Sequence, residues 1–147
     1  MRIGFASDHR GYNLKNELID YLEEEGYEIE DCGSFSEEPA DFPDYAFKLG
    51  ESVAKKNVDF GVAICGTGIG ISIACNKVKG VYCAKVNNIE EVIATRTDND
   101  ANIIAFGEKT SIETAKELVK TFFNTPTSNI ERYIRRRKKI KEYEENN

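Results

Sequence analysis

The chain has 147 residues, four cysteines, one histidine and a net charge of −6. That length suits one domain, residues 1–147, with a core of its own. The acidic balance argues against a general affinity for nucleic acid or membrane surfaces, no apolar run approaches the roughly 20 residues that span a bilayer, and a single histidine without a CxxC pair makes a zinc site unexpected.

Arg2–Ser7 reads as an opening strand, its apolar run too short for a secretory leader. Leu14, Leu18 and Leu22 recur every four residues and give a first helix one apolar face, ended by Gly26. Tyr27–Asp31 is a second strand, closed by Cys32-Gly33-Ser34. An acidic loop over 35–42 precedes Pro43, which suits the first turn of a helix running to about Lys56. Phe60–Ile64 is a third strand and Ile69–Lys77 a short helix. Val81–Val86, Ile89–Thr97, Asn102–Phe106 and Ile112–Phe123 continue as strand, helix, strand and helix. After Pro126, Ser128–Glu144 is a highly charged last helix, too polar for a core and suited to packing on a partner subunit or lying over a site. Regular alternation of this kind predicts an α/β protein, a parallel sheet with helices on both faces. Ligands of such sheets bind beyond the carboxyl ends of the strands. Ser7-Asp8-His9, the Cys65 loop and Lys85–Asn88 all fall there. The four cysteines lie within apolar segments and are expected as reduced thiols in a cytoplasm.

The most informative stretch is Cys65-Gly66-Thr67-Gly68-Ile69-Gly70, between a buried strand and a helix. Glycines here let bare amides crowd around an anion at a helix N-terminus. The dinucleotide fingerprint fails, because Ile71 stands where its last glycine belongs, and a phosphate-binding loop would need a lysine earlier than Lys77. A tight turn that only packs strand on helix is the plain alternative. A thiol beside an anion hole adds chemistry to binding: a thiolate can take a proton from a carbon next to a carbonyl while amides hold the enediolate. Asp8-His9 is, on its own, a capping aspartate with a surface histidine. Asp98-Asn99-Asp100-Ala101-Asn102 reads as a polar turn before the fifth strand. Arg132 and Arg136 are four apart on the last helix, share one face and can clamp a phosphate with paired hydrogen bonds. Its other cations suit a solvated face better than a nucleic-acid patch.

Taken together these residues resemble the type B ribose-5-phosphate isomerases and the related two-subunit galactose-6-phosphate isomerase. The motifs are Ser7-Asp8-His9-x-Gly11, Cys32-Gly33-Ser34-Phe35-Ser36, Asp41-Phe42-Pro43-Asp44-Tyr45, the run from Ile64 to Lys77, Asn99-Asp100-Ala101-Asn102 and Arg132-x-x-x-Arg136. The resemblance implies a Rossmann-like three-layer sandwich with a five-stranded parallel sheet and a protruding C-terminal helix. It implies a homodimer or homotetramer with sites between subunits, and no cofactor or metal. It also assigns roles. Cys65 is the base that moves a proton between C1 and C2, and Thr67 supports it. The amides of Gly66, Gly68 and Gly70 hold the enediolate together with Asn99. Asp8 meets the sugar hydroxyls or ring oxygen. His9, Arg132 and Arg136 bind phosphate, and Lys109 falls where relatives carry another phosphate-binding arginine. Three positions depart from the family: Asp98 replaces a ring-opening histidine, Phe42 a tyrosine, and Tyr133 the histidine after Arg132. The expected activity is isomerisation of ribose 5-phosphate and ribulose 5-phosphate. The alternatives are another phosphosugar, either a tetrose 4-phosphate or a hexose 6-phosphate handled with a partner chain, and a non-catalytic phosphosugar-binding module.

Overall fold

The computed structural model describes residues 1–147. Five strands alternate with the helices: β1 (Arg2–Ser7), α1 (Tyr12–Glu24), β2 (Glu28–Asp31), α2 (Phe42–Ala54), β3 (Phe60–Cys65), α3 (Ile69–Cys75), β4 (Cys83–Lys85), α4 (Ile89–Asn99), β5 (Ile103–Gly107), α5 (Ile112–Asn124) and α6 (Glu131–Glu145). The strands form one all-parallel sheet in the order β2-β1-β3-β5-β4. Central strands of such a sheet are covered on both faces, which is why β1 and β3 read as unbroken apolar runs.

The two faces carry separate cores. Ile3, Phe5, Val62, Ile64, Ile104 and Phe106 face the leucines of α1 and the aromatic end of α5. Ala6, Ala63, Cys65, Ile103 and Ala105 face α2 and α3. On that second face Gly4 pairs with Gly61 across the sheet. Leu49 rests directly on this bare backbone, 2.7 Å from where a Gly4 Cβ would stand.

Most predicted elements form within a residue or two. Two differences have physical reasons. β4 is only three residues long, since it is an edge strand with one partner, although Val81 and Val86 on either side are buried. α4 runs on to Asn99, so Asp98 and Asn99 are its last residues, not a free polar turn. The turn proper is Asp100, left-handed at φ 52°, whose N–H donates to the carbonyl of Arg96. α6 has no buried residue and lies outside the sandwich.

Candidate active site

The chain leaves β1 for β2 on one side, then crosses to β3 on the other side of β1. This reversal opens a crevice between the carboxyl ends of β1 and β3, the position where sheets of this kind take ligands. Ser7 and Ile64 pair at its base, and the next residues, Asp8 and Cys65, line its rim.

Cys65 ends β3 with its side chain in the α2–α3 core and only 5% exposed. Its sulfur accepts a hydrogen bond from the Gly68 N–H at 3.1 Å. That turn requires glycine at 68: φ is +82°, and a Cβ would come within 2.7 Å of the Phe106 backbone. Thr67 is exposed, and its hydroxyl accepts from the Ile69 N–H at 3.1 Å, which starts α3. Gly70 lies beneath the Phe42 ring, 2.8 Å from where its Cβ would be. Phe42 therefore closes the crevice on the α2 side with an apolar edge.

Asp8 is buried, and its Oδ1 accepts from the Arg10 and Gly11 amides at 3.0 and 3.1 Å. Asp8 thus ties down the turn that leads into α1 and does not cap the helix, whose N-cap is Gly11 with no side-chain bond, and Oδ2 is left for another partner. His9 is half-buried and its Nδ1 accepts from the Ala40 N–H at 3.1 Å. That acceptor role assigns the neutral ring's proton to Nε2, which is left to donate.

Two residues at this rim were not read from the sequence. Arg10 donates through Nε and Nη2 to Glu108 Oε1 at 3.2 and 2.7 Å. Its guanidinium occupies the space a Gly66 side chain would fill. The partners are 98 positions apart, so only the fold joins them; a cation directly after Asp8-His9 was the one available signal. Lys109 stands just beyond, exposed, in a cleft of about 390 Å³ that also borders Arg10, Asn13, Glu17 and Thr110.

The remaining expected residues are not at this end. Asp98 and Asn99 precede β5, whose first residue, Ile103, pairs with Gly61, whereas Cys65 pairs with Gly107 at the far end. Four steps of strand separate the two levels, about 13 Å. Asp98 is half-buried and accepts from Thr97 Oγ1 at 2.9 Å, while Asn99 is exposed. Arg132 and Arg136 start α6 on the same side as the end of α4, and both guanidiniums lie over the Tyr133 ring, 4.6 and 5.8 Å from its centre. Lys85–Asn88 also stays apart, since β5 lies between β4 and β3. Asn88 there caps α4, its side chain accepting from the Glu91 N–H at 2.9 Å. One chain therefore brings together Asp8, His9, Cys65, Thr67, the glycines and Lys109, and holds Asp98, Asn99, Arg132 and Arg136 at the opposite end.

Comparison with known proteins places the chain as a whole. The family model described as ribose/galactose isomerase covers residues 3–140. The chain belongs to the ribose/galactose isomerase family. Within it, the Bacillus subtilis protein YwlF, named only provisionally as a sugar phosphate isomerase and without a stated sugar, is 42% identical over 154 residues, spanning 100% of this chain and 99% of its own. The ribose-5-phosphate isomerase B of Clostridium thermocellum superposes with a TM-score of 0.95 at 42% identity, covering 99% of both chains. That of Mycoplasma genitalium, solved with bound ribulose-5-phosphate, superposes with a TM-score of 0.93 at 32% identity, covering 99% of this chain and 97% of its own. Isomerase chemistry comes to this chain with its family. No helix is long and apolar enough to cross a membrane.

Proposed function

We propose that the protein interconverts ribose 5-phosphate and ribulose 5-phosphate through an enediolate. The observation that carries this reading is Cys65, a thiol at a strand end with the Gly68 amide on its sulfur, on the rim of the crevice. In the open-chain aldose, the Cys65 thiolate takes the C2 proton. The C2–H electron pair forms the C1–C2 double bond and pushes the carbonyl pair onto O1. The Gly66 and Gly70 amides of the turn stabilise that oxyanion, whereas the Gly68 amide, expected among them, is taken by the Cys65 sulfur. A proton passes from O2 to O1, and the Cys65 thiol returns its proton to C1, giving the ketose. Nothing is consumed, and the thiolate is regenerated. Asp8 Oδ2 is free to meet a sugar hydroxyl, and His9 Nε2 and Lys109 are free to meet phosphate.

The groups at the far end complete the site only from a second copy. A dimer that sets the α4 end of one protomer over the Cys65 crevice of its partner brings Asn99 to the enediolate and Arg132 and Arg136 to the phosphate. The surface supports such an assembly: Ile69 and Ile73 on α3, one turn apart beside the crevice, are 54% and 58% exposed, and Ile130, just before α6, is exposed together with Ile134, Ile140 and Tyr143 on it. Exposed apolar groups this dense mark contact surfaces.

The test is turnover in deuterated water against four-, five- and six-carbon sugar phosphates. Ribose 5-phosphate formed from ribulose 5-phosphate should carry deuterium at C2, with the five-carbon pair turned over fastest. Faster turnover of a tetrose or hexose phosphate would move the substrate assignment. No turnover of any of them would overturn isomerisation.

A further inference from the structure

Arg137 read as one more cation on a solvated face. In the structure it is half-buried and turned inward. Its Nη2 donates to the Ser128 carbonyl at 2.9 Å, and its Nη1 reaches the carbonyls of Thr97 and Asp98 at 3.4 and 3.3 Å. The last carbonyls of a helix have no partner within it, and they form its negative pole. A guanidinium suits both needs, since its planar fork can serve several oxygens at once. The Ser128 N–H donates in turn to the Thr97 carbonyl at 2.9 Å. A second arginine secures the same segment: buried Arg96 donates to the Thr125 carbonyl at 3.0 Å and to Asp100 and Ala101 at 2.8 Å. At its other end α6 is fixed again, where Glu144 accepts from the Gly80 N–H at 3.0 Å.

We infer that Arg137 is a positioning residue that locks the end of α4 to the start of α6, so that Asp98 and Asn99 move as one body with Arg132 and Arg136. The geometry is direct. Arg136 precedes Arg137 in the helix, and Asn99 follows the Asp98 carbonyl that Arg137 engages. Arg137 is thus the side chain that spans the enediolate-side and phosphate-side groups of this half-site, added to the Ser128–Thr97 backbone bond and the Arg96 contacts. Such an arrangement commits the half-site to one spacing between reacting carbon and phosphate, hence to one sugar length. This rests on the proposed isomerase reading, and its test separates the two.

The full-length protein is compared as wild type, Arg137→Ala, Arg137→Lys, Arg136→Ala and the Arg136→Ala/Arg137→Ala double variant. The readouts are kcat, KM for ribose 5-phosphate, inhibition by inorganic phosphate, and amide hydrogen exchange. In Arg137→Ala, exchange should quicken over 97–101 and 128–137 and stay unchanged at the Cys65 loop. KM and the phosphate inhibition constant should each rise about tenfold, as for loss of one charged contact, and kcat should fall with the displacement of Asn99. Arg137→Lys, with one point charge for three carbonyls, should fall between. In the Arg136→Ala background, adding Arg137→Ala should change phosphate inhibition less than twofold, because the lock then has less to position. Unchanged exchange at both segments overturns the lock. Full multiplication of the two effects overturns its action through Arg136. A wild type that exchanges as expected but turns over no sugar phosphate defeats the functional reading and leaves the lock standing on its exchange result.

Discussion

The Gly68 N–H and the Cys65 sulfur are 3.1 Å apart, and the glycine makes that contact from a left-handed turn packed on the Phe106 backbone. Strand end, thiol and amide are therefore one unit. Gly68→Ala strains φ and drives a Cβ into backbone that cannot yield. Costs of this kind run about 1–3 kcal/mol. The variant should melt several degrees lower and lose most of its turnover. A Gly68→Ala protein with normal stability and turnover would mean that the left-handed turn is not what holds the thiol in its working place.

Cys65→Ala should abolish turnover and solvent-deuterium incorporation alike. Binding of phosphate ligands should persist, because the cations that would hold them are untouched. Calorimetry with a non-reacting sugar-phosphate analogue reads the second half. Residual turnover within tenfold of wild type would remove Cys65 from the role of base.

Opposite placement of Cys65 and Asn99 allows complementation between two dead variants. Cys65→Ala and Asn99→Ala should each be strongly impaired alone. Mixed one to one and allowed to exchange subunits, half of the dimers are hybrids, and each hybrid has one intact site of two. Activity should recover to about a quarter of wild type. Failure to recover, with hybrids verified by native mass spectrometry, would place each site within one chain.

Asp98 stands where the family resemblance sets a ring-opening histidine. An imidazole can take and return a proton near neutral pH, whereas a carboxylate is a poor acid there. Asp98→His should speed turnover of the closed-ring ribose 5-phosphate if ring opening limits it. It should hardly alter turnover of a tetrose phosphate, which has no furanose to open. A slower Asp98→His enzyme on ribose 5-phosphate would show that this chain opens the ring by other means.

Burial beside Glu30 and Asp31 pushes the Cys32 thiol up to about 12, burial being the larger cause. An unfolded cysteine ionises near 8.5. The folded state thus holds this proton more tightly than the unfolded one. Its contribution is complete below about pH 8.5 and is lost as pH rises toward 12, by at most about 1.4 kcal/mol per pH unit. Cys32→Ala should flatten the fall in Tm between pH 8.5 and 10.5. Parallel curves for the two proteins would sink the assignment.

The alternation of apolar runs and amphipathic stretches was enough to lay out the sheet, and the glycine turn with its thiol was legible because glycine spacing and strand ends are local. Even the division of the site was implicit: Cys65 follows a strand, Asn99 precedes one, and in a parallel sheet those are opposite ends. What stayed hidden depends on distant partners. Arg10 needs Glu108 to hold it over Gly66. Arg137 is indistinguishable from its charged neighbours until α6 meets α4. The length of α4 was misjudged because Asp98 and Asn99 have the composition of a turn, while contacts from α6 and the buried Arg96 keep them helical.

In the proposed assembly, the placement of Cys65 and Asn99 at opposite ends of the sheet, whose levels lie about 13 Å apart, makes the substrate a reporter of self-association. A lone chain offers each sugar phosphate only half of its contacts. Ligand that bridges two chains binds the pair and not the separated copies, so it shifts that equilibrium by RT ln(1 + [L]/Kd), about 2.7 kcal/mol at a hundredfold excess. Specific activity should then fall on dilution when substrate is scarce and hold when it is abundant, so that the metabolite pool itself governs how much of the protein is assembled.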